Sequence, residues 1–232
     1  MKDFLSPKAL FSLENTLYPS LFEEVEFCWE LLKKIAPFLE SQSLGKIEVE
    51  IPPLVHLENP ELISIGEGSV VEPGAYIKGP CLLGKNCVVR QGSYIRGNVL
   101  AEDNVVIGHT TEAKNCLFLE GAQAAHFAYL GDSVLGRKVN LGAGTKLANL
   151  KLDHKEVIIH AAGDTFHTGL RKFGAIIGDG AQIGCNAVTH PGTIIGKGAF
   201  WFPCVSHGGV VPSNCVVRPK ERAEVIERKD IK

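Results

Sequence analysis

From Ile65 to Ala124 the chain repeats a six-residue unit ten times: IGEGSV, VEPGAY, IKGPCL, LGKNCV, VRQGSY, IRGNVL, AEDNVV, IGHTTE, AKNCLF and LEGAQA. The first residue of each unit is aliphatic or alanine. The fifth is mostly small or β-branched, as at Ser69, Ala75, Cys81, Cys87, Ser93, Val99, Val105 and Thr111. A fixed short period of this kind predicts a parallel β-helix, whose coils bury each other's apolar rows, and not a globular sheet. The 25 glycines suit such a chain, because tight corners call for small residues or a positive φ.

Around this run the sequence divides into a helical N-terminal cap and linker (1–60), a β-helix (61–217) and a charged tail (218–232) read as a short terminal helix. Leu21, Phe22, Val25, Cys28, Leu31, Leu32 and Ile35 recur at helical spacing, and Ser20 with Glu23 has the capping-box pattern. One amphipathic helix is predicted there, ending or kinking at Pro37, and set to cap the open end of the β-helix or to pack between subunits. Pro52, Pro53 and Pro60 mark a linker and entry strand before the repeats. After Ala124 the period slips, in a stretch that contains His126. Residues 151–174 lose it altogether and are read as a projecting loop, long enough to suggest a functional role. Units resume at Ile177 as IGDGAQ, IGCNAV, THPGTI, IGKGAF and WFPCVS.

A chain of 232 residues with 45% hydrophobic content can bury a sizeable core. Its net charge of −2 gives no whole-molecule attraction to nucleic acid or an anionic membrane. No apolar run reaches the roughly 18 residues of a membrane span, and Met1 to Ala9 lacks the apolar core of a signal peptide, so a cytoplasmic protein is expected. The seven cysteines show no CxxC spacing. They are read as small core residues in a reducing compartment, with no metal site.

The segments GHTTEAKN, EGAQAAHFAYLGD and VNLGAGTKLANL, with GLRKFGAIIGD farther on, are the most specific text in the chain. They resemble the acetyltransferase half of the bifunctional sugar-1-phosphate enzymes that make UDP-N-acetylglucosamine, nearest to its archaeal-type members. The likeness covers about Ile65 to Arg218. It implies a mainly β, left-handed parallel β-helix with three hexapeptides per coil, assembled as a homotrimer. It also implies an acetyl-CoA-dependent N-acetyltransferase acting on glucosamine-1-phosphate or galactosamine-1-phosphate.

By the same resemblance His126, in HxxYLGD with Tyr129, is the general base. The chemistry needs one, since a protonated sugar amine has no lone pair and imidazole titrates near neutral pH. Arg96 and Lys114, eighteen residues apart and so stacked in adjacent coils, match phosphate-binding positions. Asn140 and Asn149 orient the sugar and its amine, and Lys155 reaches the phosphate. The amide of Ala143, in the GAG triplet, polarises the acetyl carbonyl. Cys185, Pro203 and Arg218 fall where coenzyme A is contacted. The chain departs from the bacterial pattern at Cys185, where serine is usual, at Pro203, which has no N–H, and at Asn149-Leu150-Lys151-Leu152, which replaces NYDG. No LxGGxGTR motif precedes the repeats, so no nucleotidyltransferase activity is expected from this chain, and a separate nucleotidyltransferase stays open as a partner.

Two other readings stand beside this one. A γ-class carbonic anhydrase has the same repeats, but it needs an HxxxxH pair, and the eight histidines contain none. A non-catalytic sugar-phosphate-binding or scaffold member would keep the site without turnover.

Overall fold

The computed structural model describes residues 3–220, which form a parallel β-solenoid with a short N-terminal helix. Its strands stack on three faces. The first carries Tyr76–Lys78, Tyr94–Ile95, Glu112, Tyr129, Lys146–Leu147, Val188–Thr189 and Ser206–His207 in successive coils. The second carries Ile63–Ile65, Cys81–Leu83, Val99–Ala101, Ala175–Ile177 and Thr193–Ile195. The third is an eight-stranded sheet from Val70–Val71 to Val216–Val217. Glu112–Phe118 and Tyr129–Leu135 bend around one corner and pair on both the first and second faces.

The aliphatic first residues Ile65, Val71, Ile77, Leu83, Val89, Ile95, Ala101, Ile107 and Ala113 all point into the core. The ten units are not in one phase, however. Ile95 pairs with Ala113, eighteen residues on, whereas Val99 pairs with Cys116, seventeen on. The corner between Ala113 and Cys116 holds two residues where the coil below holds three. Phe118 therefore turns inward and Leu119 joins a separate outer cluster. The second short unit is Leu130 to Val134, with its two-residue corner at Gly131 and Asp132, so His126 stands in a unit of ordinary length. The solenoid also begins earlier than residue 61: Ile47 bridges to Ile65 and His56–Glu58 pairs with Tyr76–Lys78, inside the segment assigned as linker.

The N-terminal segment differs from expectation in shape and place. Two short 3-10 turns, Pro19–Phe22 and Cys28–Glu30, flank a left-handed Glu24 (φ 53°), and the α-helix spans Leu31–Ser41 straight through Pro37. Proline removes one helical hydrogen bond, yet Leu31, Leu32, Ile35 and Leu39 bury a full stripe, and tertiary packing outweighs propensity. That stripe does not cap an open end. It lies along the second face against the outward row Leu100, Leu117, Val134, Ile176 and Ile194. Residues 151–174 do not project either. Ile158–Ala161 and Asp164–His167 form an antiparallel hairpin whose Ile159 and Phe166 join the same cluster, with Phe166 against Phe27 (5.6 Å) and Trp29 (6.2 Å). Of the predicted tail only Arg218 to Lys220 fall within the described residues. No helix among these residues is long and apolar enough to cross a membrane.

Candidate active site

At the corner between the third and first faces, parallel register stacks one residue per coil. The amides of Thr110, Phe127, Gly144, Asn186 and Cys204 donate to the carbonyls of Gln91, His109, His126, Ala143 and Cys185 in turn. Gln91, His109, His126, Ala143, Cys185 and Pro203 therefore form one column. The rings of His126 and Phe127 meet edge to face at 6.3 Å. The His126 ring is exposed and has no hydrogen-bond partner among the described residues.

The first face leads from this column to the next corner, where the chain either shortens its units or leaves the coil. Arg96 pairs with Glu112 at 2.7 Å, and that contact raises the guanidinium pKa. One rung on, the Tyr129 hydroxyl donates to Asn149 Oδ1 (3.3 Å), and Asn149 Nδ2 donates to Asp132 Oδ2 (2.6 Å). Asp132 also accepts from Asn115 Nδ2 (3.1 Å) and pairs with Lys114 (3.4 Å). Burial, helped by the negative charges of Glu112 and Asp132, pushes the Tyr129 pKa up, so its hydroxyl keeps its proton. The chain leaving for the hairpin returns through this corner. Phe173 N–H donates to the Asn149 carbonyl and Gly174 N–H to the Asp132 carbonyl, both at 2.8 Å.

The structure thus brings Arg96, Lys114, Tyr129 and Asn149 to one corner and His126, Ala143, Cys185 and Pro203 to the adjacent one. The ladder runs in eighteen-residue register through Ile95 and Ala113, immediately before Arg96 and Lys114, so the two cations follow on successive coils. Asn140 lies apart on the third face, paired with Gln123 and Gln182. Lys155 is exposed in the turn before the hairpin, its amide donating to Asp153 (3.0 Å), and Arg218 is exposed at the last coil. Sequence reasoning passed over Asp132, Glu112 and Lys146. Asp132 was within reach as the last residue of YLGD; the other two are identified only by their stacking on either side of Tyr129. Among the described residues no group of three His, Cys, Asp or Glu is placed to hold a metal ion.

This fold and these corners define a hexapeptide-repeat parallel β-helix. The crystal structure of Francisella novicida UDP-N-acetylglucosamine acyltransferase shares the fold, with a TM-score of 0.55 and 18% identity over 75% of this chain and 64% of that one. A family model, the GMPPB C-terminal domain, matches residues 77–163. A bifunctional sugar-1-phosphate nucleotidylyltransferase/acetyltransferase of Sulfurisphaera tokodaii is 42% identical over 97 residues, which are 42% of this chain and 24% of that protein. The bifunctional protein GlmU of Methanococcus maripaludis is 31% identical over 203 residues, 87% of this chain and 46% of that protein. The chain matches the C-terminal β-helix domain of these bifunctional sugar-1-phosphate nucleotidylyl/acetyltransferases and spans less than half the length of these relatives.

Proposed function

We propose that the protein is an acetyl-CoA-dependent N-acetyltransferase that acetylates the amino group of an amino-sugar 1-phosphate, glucosamine-1-phosphate or galactosamine-1-phosphate. The observation that carries this reading is the convergence of Arg96, Lys114, Tyr129 and Asn149 on one corner, next to a corner that exposes His126. Cations and a protonated phenol suit a sugar phosphate, and an imidazole with no partner of its own is free to take a proton.

In this mechanism Arg96, Lys114, Tyr129, Asn140 and Lys155 hold the sugar phosphate. His126 removes a proton from the substrate ammonium, and the freed lone pair attacks the thioester carbonyl. The Ala143 N–H donates to the oxyanion as the new C–N bond forms. Collapse of the intermediate breaks the C–S bond; the departing thiolate takes the imidazolium proton and leaves as free coenzyme A, while the second proton on the acylated nitrogen passes to solvent and leaves a neutral amide. Coenzyme A would run along the column past Cys185 and Pro203, with Arg218 near its phosphates. Acetyl-CoA is a co-substrate here, and no metal takes part.

The reading includes a homotrimer, with the cytoplasm as its compartment. Its support is that Asn140 and the Tyr129 corner lie on different sides of one solenoid, as in a site assembled between copies. The exposed large apolar residues Val70, Phe200 and Val216 of the third face add to it, while the second face is covered by the chain itself. The test is release of coenzyme A thiol with each amino-sugar 1-phosphate. Wild type should turn over, and His126→Ala should lower kcat by roughly 10²- to 10⁴-fold with an unchanged Tm. No release above background from correctly assembled protein would overturn the reading in favour of a binding or scaffold role.

A further inference from the structure

Asp132 has no part in the roles above, yet it is buried at 5% exposure among groups that all donate to it. Asn149 Nδ2 lies 2.6 Å from Oδ2, while Asn115 Nδ2 and Lys114 Nζ lie 3.1 and 3.4 Å from Oδ1. Its backbone is left-handed (φ 48°), a conformation that aspartate tolerates, and its carbonyl is tied to Gly174. A carboxylate can only accept, so the Asn149 atom facing it is the amide nitrogen. The two ends of an asparagine amide are told apart by such partners. With Nδ2 committed to Asp132, Asn149 Oδ1 is the end turned toward Tyr129.

We propose that Asp132 is a positioning residue that locks the Asn149 amide in one orientation, so that its carbonyl oxygen is the group presented to the amine of the substrate. This rests on the N-acetyltransferase reading. An oxygen beside the Tyr129 hydroxyl accepts from an ammonium or amine. A flipped amide would set its own two N–H donors against the donors of the substrate. Gly131 makes the arrangement possible, since a Cβ there would stand 2.3 Å from Asn149 Nδ2.

The test compares binding of glucosamine-1-phosphate and glucose-1-phosphate, which differ only in amine against hydroxyl, by calorimetry. Wild type should favour the amino sugar. In Asp132→Asn that preference should fall roughly tenfold or more, the size of a lost charge-assisted hydrogen bond. The double variant Asp132→Asn with Asn149→Asp restores the polarity: Asn at 132 donates to Asp at 149, whose second oxygen faces the sugar. It should recover most of the preference and exceed either single variant, a reciprocity that general loosening of the corner does not produce. A preference retained in Asp132→Asn would overturn the proposal, as would a double variant no better than both singles. If Asp132→Asn proves unstable, the double variant is set against Asn149→Asp alone, and equal preference in the two overturns it. Preference without release of coenzyme A sinks the catalytic reading and leaves this one standing. Absence of binding by wild type sinks both.

Discussion

Gly131 and Asp132 are where single residues decide most. A Cβ at Gly131 would meet Asn149 Nδ2 at 2.3 Å and the Tyr129 hydroxyl at 2.8 Å. Gly131→Ala is therefore predicted to push the pair apart, raising KM for the sugar phosphate and costing about 1–3 kcal/mol of stability, read by steady-state kinetics and by denaturant melts. Thr189 is the opposite case. Its hydroxyl is buried and has no partner among the described residues, so Thr189→Val should leave stability unchanged or raise it by up to about 1 kcal/mol, measured by the denaturant midpoint. His126, Tyr129, Arg96, Lys114 and Asn149 stand out as candidates by motif and spacing. The role of Asp132 does not, because burial and three donors reach it from Lys114, Asn115 and Asn149, on coils above and below.

At the scale of elements, the two five-residue units and the long excursion all fall at one corner, the one proposed to bind the sugar phosphate. At this corner Asn115 and Asp132 both stand in left-handed positions (φ 51° and 48°) with their side chains joined. The six-residue period made the strands legible, but ten regular-looking units hid the first slip, since Phe118 and Leu119 are both apolar and either could face inward. The N-terminal segment was misread for a similar reason. Its apolar spacing is helical, but a left-handed Glu24 breaks it and only tertiary contacts order the pieces. Polar anchors hold it as well. Glu102, fully buried, accepts from the Thr16 hydroxyl, the Leu17 N–H (2.8 Å) and the Glu120 N–H (2.9 Å). Burial raises its pKa, so the folded state holds the proton more tightly than the unfolded chain. Its contribution to stability is present at low pH and lost as pH rises through the folded value. The Tm of wild type minus that of Glu102→Gln should thus grow as pH falls from about 8 to about 4, and a flat difference would contradict the assignment.

For the whole molecule, the three faces have three fates. The first carries Tyr129 between the two corners, the second is sealed by the N-terminal segment and the hairpin, and the third keeps exposed apolar residues such as Phe200. Phe200→Glu is predicted to reduce a trimer to monomers, seen by light scattering, with the β-sheet circular dichroism unchanged. Loss of acetyl transfer should accompany it if copies share the site. A solenoid of this kind was determined by the sequence alone, because a six-residue period with one apolar position leaves a chain few other ways to bury that row. The histidine motif was equally plain. Only the tertiary structure decided that the outward aliphatic row of the second face is covered from within the chain. It alone decided that the short units fall at the same corner as the hairpin's return, and that a buried carboxylate sets the Asn149 amide. Such facts depend on which residues stack above one another, and a single skipped residue changes that stacking while barely disturbing the pattern along the chain.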